Sequence, residues 1–181
     1  MNNGDPFIFL IDTLFSIYIG IMYLRFILQQ VGADFYNPIS QFLVKATQPP
    51  VKIARRLIPP FGKIDTASLV LTLALILLKI FLLYVVISGY PLNFVNLLTL
   101  LLHDFIELTF NIFIFSIFIQ AILSWVNPDP GNPVSGILYS ITYPVLRPIR
   151  KFIPPMGGLD LSALVALIGL TFLKLLVLGM F

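Results

Sequence analysis

The sequence predicts an all-α membrane protein: four transmembrane helices as two parallel repeats, each a helix, an amphipathic interfacial loop and a second helix. Composition is the first observation behind this. Hydrophobic residues make up 59% of the 181 and charged residues only 10%, whereas a soluble domain carries roughly a quarter charged residues, so most of the surface meets lipid. The second is a set of four long apolar runs, near 6–31, 66–89, 104–126 and 161–181. A helical crossing takes ~20 residues. Helix is the open structure that satisfies its own backbone in hydrocarbon, and none of the runs shows the alternation of a barrel strand.

The third observation is an ungapped internal repeat. Residues 37–65 read NPISQFLVKATQPPVKIARRLIPPFGKID and residues 132–160 read NPVSGILYSITYPVLRPIRKFIPPMGGLD; 132 − 37, 150 − 55 and 160 − 65 all equal 95. A fixed offset marks a duplicated structural unit. It divides the chain into repeat 1 (1–89) and repeat 2 (90–181), each with two spans. Two spans per repeat make the repeats parallel, related by an axis along the membrane normal.

Within each copy the parts follow in order. Asn37 and Asn132 stand as N-caps, with Pro38 and Pro133 at a first helical position where no N–H is needed. Ile39, Phe42, Leu43 and Ala46, and again Val134, Ile137, Leu138 and Ile141, fall at helical spacing and predict a short amphipathic helix. A second amphipathic segment follows. In it Val51, Ala54, Leu57 and Ile58 oppose Lys52, Arg55 and Arg56, and in the other copy Val145, Leu146, Ile149, Phe152 and Ile153 oppose Arg147, Arg150 and Lys151. These six bases are the candidate contacts to anionic headgroups, each worth ~1 kcal/mol near the surface. Pro148 predicts a break after Pro144, since an interior proline removes a helical hydrogen bond and crowds the preceding turn. The pairs Pro59-Pro60 and Pro154-Pro155 stop the helices. Gly62, and Gly157 with Gly158, permit the turn back into the bilayer. Asp65 and Asp160 then open the second span of each copy, either as N-caps favoured by the helix dipole or as cation ligands, with capping the ordinary reading of such a position.

Basic residues set the orientation. Lys45, Lys52, Arg55, Arg56 and Lys63 lie between the first two runs and Arg147, Arg150 and Lys151 between the last two; the other three bases are inside runs. The expected topology has both repeat loops cytoplasmic and both termini outside. The opening MNNGDPFIFL lacks the basic start and cleavage site of a secretory signal, so the first run is expected to be retained.

Four charges fall inside the runs and share the offset: 107 − 12 and 174 − 79 also equal 95, giving each repeat one acid and one lysine. Counted from the cytoplasmic ends at ~1.5 Å per residue, the acids lie ~28 Å up and the lysine backbones ~20 Å up, within reach of a lysine stem. Asp12 with Lys79 and Glu107 with Lys174 are therefore candidate intramembrane ion pairs. Charges at this depth face a partner, a bundle interior or an ion path; the competing reading has the lysines snorkelling outward. Arg25, nearer the cytoplasmic end, is expected to snorkel there. His103 at the mouth of the third span is expected to be solvated, since one histidine without cysteine is a poor metal set. Trp125 fits the aromatic belt.

Other chemistry is excluded or unsupported. There is no cysteine, hence no disulfide, thiolate nucleophile or thiolate metal site. Ser124 has no acid–base partner in sequence, and nothing reads as a phosphate-cradling loop or a nucleic-acid surface. The expectation is a non-enzymatic protein with no cofactor and no metal, whose partners are membrane lipids.

The second copy carries Leu123-Ser124-Trp125, Asn132-Pro133, Ile141-Thr142-Tyr143-Pro144, Arg147-Pro148-Ile149-Arg150 and Ile153-Pro154-Pro155-Met156-Gly157-Gly158-Leu159-Asp160. In these motifs the chain resembles the YggT family of small bacterial membrane proteins, called YlmG in plastids, over nearly its whole length. The first copy departs from the pattern with Gln29-Gln30, Gln48-Pro49-Pro50 and Lys63, so the second is expected to carry more of any shared function. The resemblance implies an inner-membrane location and a link to osmotic-stress tolerance and ion balance. In photosynthetic relatives it implies nucleoid or division organisation and cytochrome assembly. Two function classes follow: an aid to ion or osmotic homeostasis, which for so small a chain calls for a homo-oligomer, or a membrane scaffold recruiting lipid or protein partners through its basic loops.

Overall fold

Each apolar run folds as a helix, and so does each connection inside a repeat. The computed structural model describes residues 6–87, 89, 91–126, 131–153 and 160–181. Its helices are α1 (Pro6–Gln30), α2 (Pro38–Leu57), α3 (Thr66–Ile80), α4 (Phe94–Val126), α5 (Pro133–Phe152) and α6 (Leu161–Leu178), with a π-helical turn at Phe81–Ile87 continuing α3. Those starting at Pro6, Thr66, Phe94 and Leu161 are long and apolar enough to cross a bilayer. The protein is a multi-pass membrane protein. Its spans expose large apolar side chains, among them Phe9, Leu14, Phe115, Ile168 and Phe172, which lipid solvates without cost.

The third span departs from its expected start near residue 104. α4 begins ten residues earlier, at Phe94, where the Asn93 side chain accepts the Asn96 N–H at 2.7 Å and the apolar run 94–102 propagates the helix without a breaker. The amphipathic connections differ as well. α2 and α5 are single 20-residue helices, so the expected break between Pro144 and Pro148 does not occur. A proline at position i leaves the carbonyl at i−4 without its helical donor. Pro49, Pro144 and Pro148 lie on exposed sides of their helices, where water or headgroups can take that role, while the opposite face supplies the packing that holds the helix through them.

That buried face overlaps the one predicted for α2 at Leu43, Val51 and Ala54 but is rotated away from Phe42 and Leu57. Ser40, Leu43, Thr47, Val51 and Ala54 are buried, whereas Phe42 and Leu57 are exposed. In α5 the buried set is Ile137, Leu138, Ile141, Thr142 and Leu146, with Val134 and Phe152 exposed. Threonine belongs to each stripe because its hydroxyl bonds a carbonyl one turn back, Thr47 to Leu43 at 2.6 Å and Thr142 to Tyr139 at 3.3 Å, and so enters the interior satisfied.

The chain forms two compact units, one comprising the residues through Phe26 together with Leu43–Ile106, the other Ile27–Phe42 with Glu107–Phe181. In the first, Met22, Val51, Ala54 and Ala67 make the core, flanked by Tyr18, Leu71 and Leu75. In the second, Ile117, Leu146, Ala163 and Ala166 do so, flanked by Leu167 and Leu170 among others. Since 117 − 22 and 146 − 51 equal 95, the repeat register carries into packing. The alanines let backbones approach closely where no hydrophobic force drives helices together in lipid.

The turn from α2 into α3 is built as its sequence dictates. Gly62 adopts φ +60, a conformation open to glycine, and Phe61 and Ile64 exchange backbone hydrogen bonds across it. Pro59 and Pro60 precede it, exposed, and the Thr66 hydroxyl donates to the Pro59 carbonyl at 2.7 Å. The corresponding Pro154, Pro155, Gly157 and Gly158 lie outside the described residues.

Candidate functional site

Polar groups enter the spans at two levels in each unit. At the start of α3, Asp65 accepts the Ser68 backbone N–H at 3.4 Å and the Ser68 hydroxyl at 2.7 Å, a side-chain cap for donors that have no partner within the helix. It also accepts from Arg55 Nη2 at 2.8 Å. Arg25 approaches from α1, its Nε 4.0 Å from the same carboxylate oxygen, while its Nη1 donates to Thr47 at 2.9 Å and its Nη2 to Gln48 at 3.2 Å. Asp65 is 1% exposed and Arg25 7%. Arg25 therefore does not snorkel as expected, because α2 returns over the end of α1 and brings acceptors to it.

The second unit repeats the cap with different parts. Asp160 accepts the Ser162 N–H at 3.1 Å and the Ser162 hydroxyl, and Arg150 grips one of its oxygens through Nε at 3.1 Å and Nη2 at 2.6 Å. Burial alone would raise the pKa of each carboxyl. Hydrogen bonds from Arg55 and Ser68, and from Ser162 and Arg150, outweigh it and hold both below the ordinary carboxylate value. Gln120 occupies the place equivalent to Arg25 and accepts from the Thr142 hydroxyl, so the polar contact between Arg25 and Thr47 recurs in neutral form.

Farther along the spans, Lys174 Nζ lies 2.9 Å from Glu107 Oε1 and 2.8 Å from Asn111 Oδ1. Lys79 Nζ lies 3.6 Å from Asp12 and 3.0 Å from Asp104, and Asp104 in turn is 3.5 Å from His103 Nδ1. Asp104, where the third apolar run begins in the sequence, is not among the candidate ion pairs. The earlier start of α4 carries it into the helix and across to Lys79. One unit thus sets two carboxylates against a lysine, the other one carboxylate and an amide. Among the described residues no group of three or more His, Asp or Glu could hold a metal.

Of the six candidate headgroup contacts, Lys52, Arg55, Arg56, Arg147 and Lys151 are exposed and Arg150 is half-buried. Arg147 lies 5.5 Å from the centre of the Tyr143 ring, within cation–π range. Arg55 and Arg150 instead spend hydrogen bonds on the caps.

A family model described as CCB3/YggT matches residues 4–86 and again residues 99–181. The chain belongs to the CCB3/YggT family. The two matches are displaced by 95 at both ends, the spacing of the repeat. Among curated relatives, a Vibrio alginolyticus protein described by its place beside proC is 43% identical over 169 residues, covering 93% of this chain and 91% of its own. The Pseudomonas aeruginosa protein PA0392 is 44% identical over 175 residues, 95% of this chain and 88% of its own, and YggT of Escherichia coli 38% over 157 residues, 87% and 81%. Their descriptions assign no activity. No solved structure matches the chain.

In this CCB3/YggT chain, then, the described polar chemistry includes arginine-bound helix caps and lysine–carboxylate clusters inside spans. The caps organise backbone. The lysine clusters hold charges that could exchange a proton or meet a passing cation.

Proposed function

We propose that the protein supports ion and osmotic homeostasis in the bacterial inner membrane, aiding ion passage as a homo-oligomer, with its basic helices α2 and α5 cytoplasmic and both termini outside. The observation carrying this reading is Lys79 set between Asp12 and Asp104 within apolar helices. Ionisable groups at such positions are costly and mark ion or proton paths in membrane proteins, and a purely structural pair needs no second carboxylate. Purified protein in sealed liposomes should raise potassium or sodium flux above empty vesicles, and Lys79→Met should reduce it. No flux, with unchanged potassium and sodium content and normal osmotic-shock survival in a deletion strain, would reject the proposal.

A second reading rests on a different observation: α5 exposes Arg147, Lys151 and Phe152 together near its end, a combination suited to anionic headgroups and the acyl boundary. Under it the protein is a scaffold that recruits lipid or assembly partners. The deletion strain would then keep its ion content and lose a co-purifying partner.

A further inference from the structure

The second unit contains a cleft of about 440 Å³ between α4, α5 and α6, within the ~300–1,000 Å³ range of small-molecule sites. Its walls are apolar, with Ile117, Ile122, Leu164 and Leu167 prominent, while Arg150 and Asp160 contribute at its polar end. Leu164 and Ile122 are 55% and 42% exposed, so the cleft is open on the side that the spans present to lipid.

Comparison across the repeat explains its origin. In the first unit the long side chain of Arg25 reaches Thr47, Gln48 and the neighbourhood of Asp65. At the equivalent position the second unit has the shorter, neutral Gln120, and where the first has Phe26 the second has Ala121, both lining the cleft. Asp160 is 27% exposed at its side chain where Asp65 is 1%. Charge decides the occupant. Arg150 engages Asp160 through Nε and Nη2, with no partner for Nη1 among the described residues, and Arg147 and Lys151, exposed on the same last turns of α5 but outside the cleft lining, add two further positive charges to this end of the helix. A guanidinium so placed is suited to phosphate, and basic pockets between transmembrane helices take anionic lipid headgroups.

We propose that this cleft binds one anionic phospholipid, with an acyl chain along Ile117, Ile122 and Leu164 and its phosphate at Arg150. The proposal does not depend on the lysine clusters and stands whether or not ions cross. It is tested by native mass spectrometry of the full chain in detergent, titrated with phosphatidylglycerol or phosphatidylcholine. The wild-type protein should retain one phosphatidylglycerol with about tenfold preference over phosphatidylcholine, and inorganic phosphate at the same concentration should not displace it. Ala121→Phe, which restores the bulk found in the first repeat, and Leu164→Trp, at an exposed wall position, should each abolish retention. Circular dichroism should show unchanged helicity for at least one of them. Equal retention of the two lipids, displacement by inorganic phosphate, or unaltered retention in both variants would overturn the proposal. So would a dimer mass that excludes lipid, since a second copy would then cover the cleft.

Discussion

Neutralising Asp65 tests how the first unit holds a buried arginine. Asp65→Asn keeps the size of the side chain and an oxygen able to accept the Ser68 N–H, so the cap is largely preserved and the charge is what disappears. Arg55, 42% exposed at its side chain, can turn to solvent at little cost. Arg25, 6% exposed at its side chain, cannot. Breaking one partner from a buried pair costs ~3–5 kcal/mol. Because Thr47 and Gln48 continue to accept from Arg25, the expected loss is at the lower end, about 3 kcal/mol. The second repeat supplies its own compensation, since Gln120 stands at the equivalent place. Arg25→Gln added to Asp65→Asn should recover at least about 1 kcal/mol, a coupling typical of contacting residues. Unfolding in mixed detergent and sodium dodecyl sulfate, followed by helical circular dichroism, gives all the values needed for the cycle. A harmless Asp65→Asn, or strictly additive losses, would refute the assignment of Arg25 and Asp65 as an interacting buried pair.

The Glu107 and Lys174 pair should behave similarly: in the same assay Lys174→Met alone is expected to cost more than Lys174→Met with Glu107→Gln, and harmless single changes would return these residues to simple snorkelling. Acid should weaken the caps with a defined sign. The folded-state pKa values of Asp65 and Asp160 are lowered, so their stabilisation is fully present above the unfolded value of about 3.9 and is lost as pH falls through the lower folded values; the double Asn variant should lose less stability between about pH 5 and pH 2. For topology, Asn93→Cys should react with an impermeant maleimide in intact cells and Ser135→Cys should not. Labelling of the latter from outside would reverse the proposed orientation.

The four spans were legible because lipid imposes one demand everywhere: length, apolarity and an internally satisfied backbone. The aspartate positions were legible too, standing between a glycine turn and an apolar run. What escaped depended on where a helix begins or which side of it is covered. Asp104 joins Lys79 only because α4 starts at Phe94, and Asn93 was the available signal. The prolines of α5 argued for a break when each was weighed locally, but the packing of Ile137, Ile141 and Leu146 extends over the whole helix. Phe42 outweighs Thr47 on any hydrophobicity scale, yet Thr47 is the one covered, because it can satisfy its hydroxyl within the helix and offer Arg25 an acceptor. A useful signal lay in the repeat itself: polar residues separated by 22 in both copies, Arg25 with Thr47 and Gln120 with Thr142, are in contact in both.

Duplication gives the two units a capping aspartate and two core residues at matching positions, and so isolates what differs. Met22 and Ile117, Val51 and Leu146, Asp65 and Asp160 answer one another in place and role. The differences gather where Arg25 and Phe26 are replaced by Gln120 and Ala121. A buried arginine needs several acceptors to remain charged in a poor solvent, and the first unit provides them from Thr47, Gln48 and Asp65, closing its interior around the guanidinium. With glutamine there, that requirement vanishes. The aspartate can remain partly open with one arginine, and the adjoining space need not be filled by protein. The exchange of a long cation for a short amide, with Ala121 beside it in place of Phe26, therefore links three features of the second unit: the lone arginine on its cap, the greater exposure of Asp160, and the apolar cleft beside them.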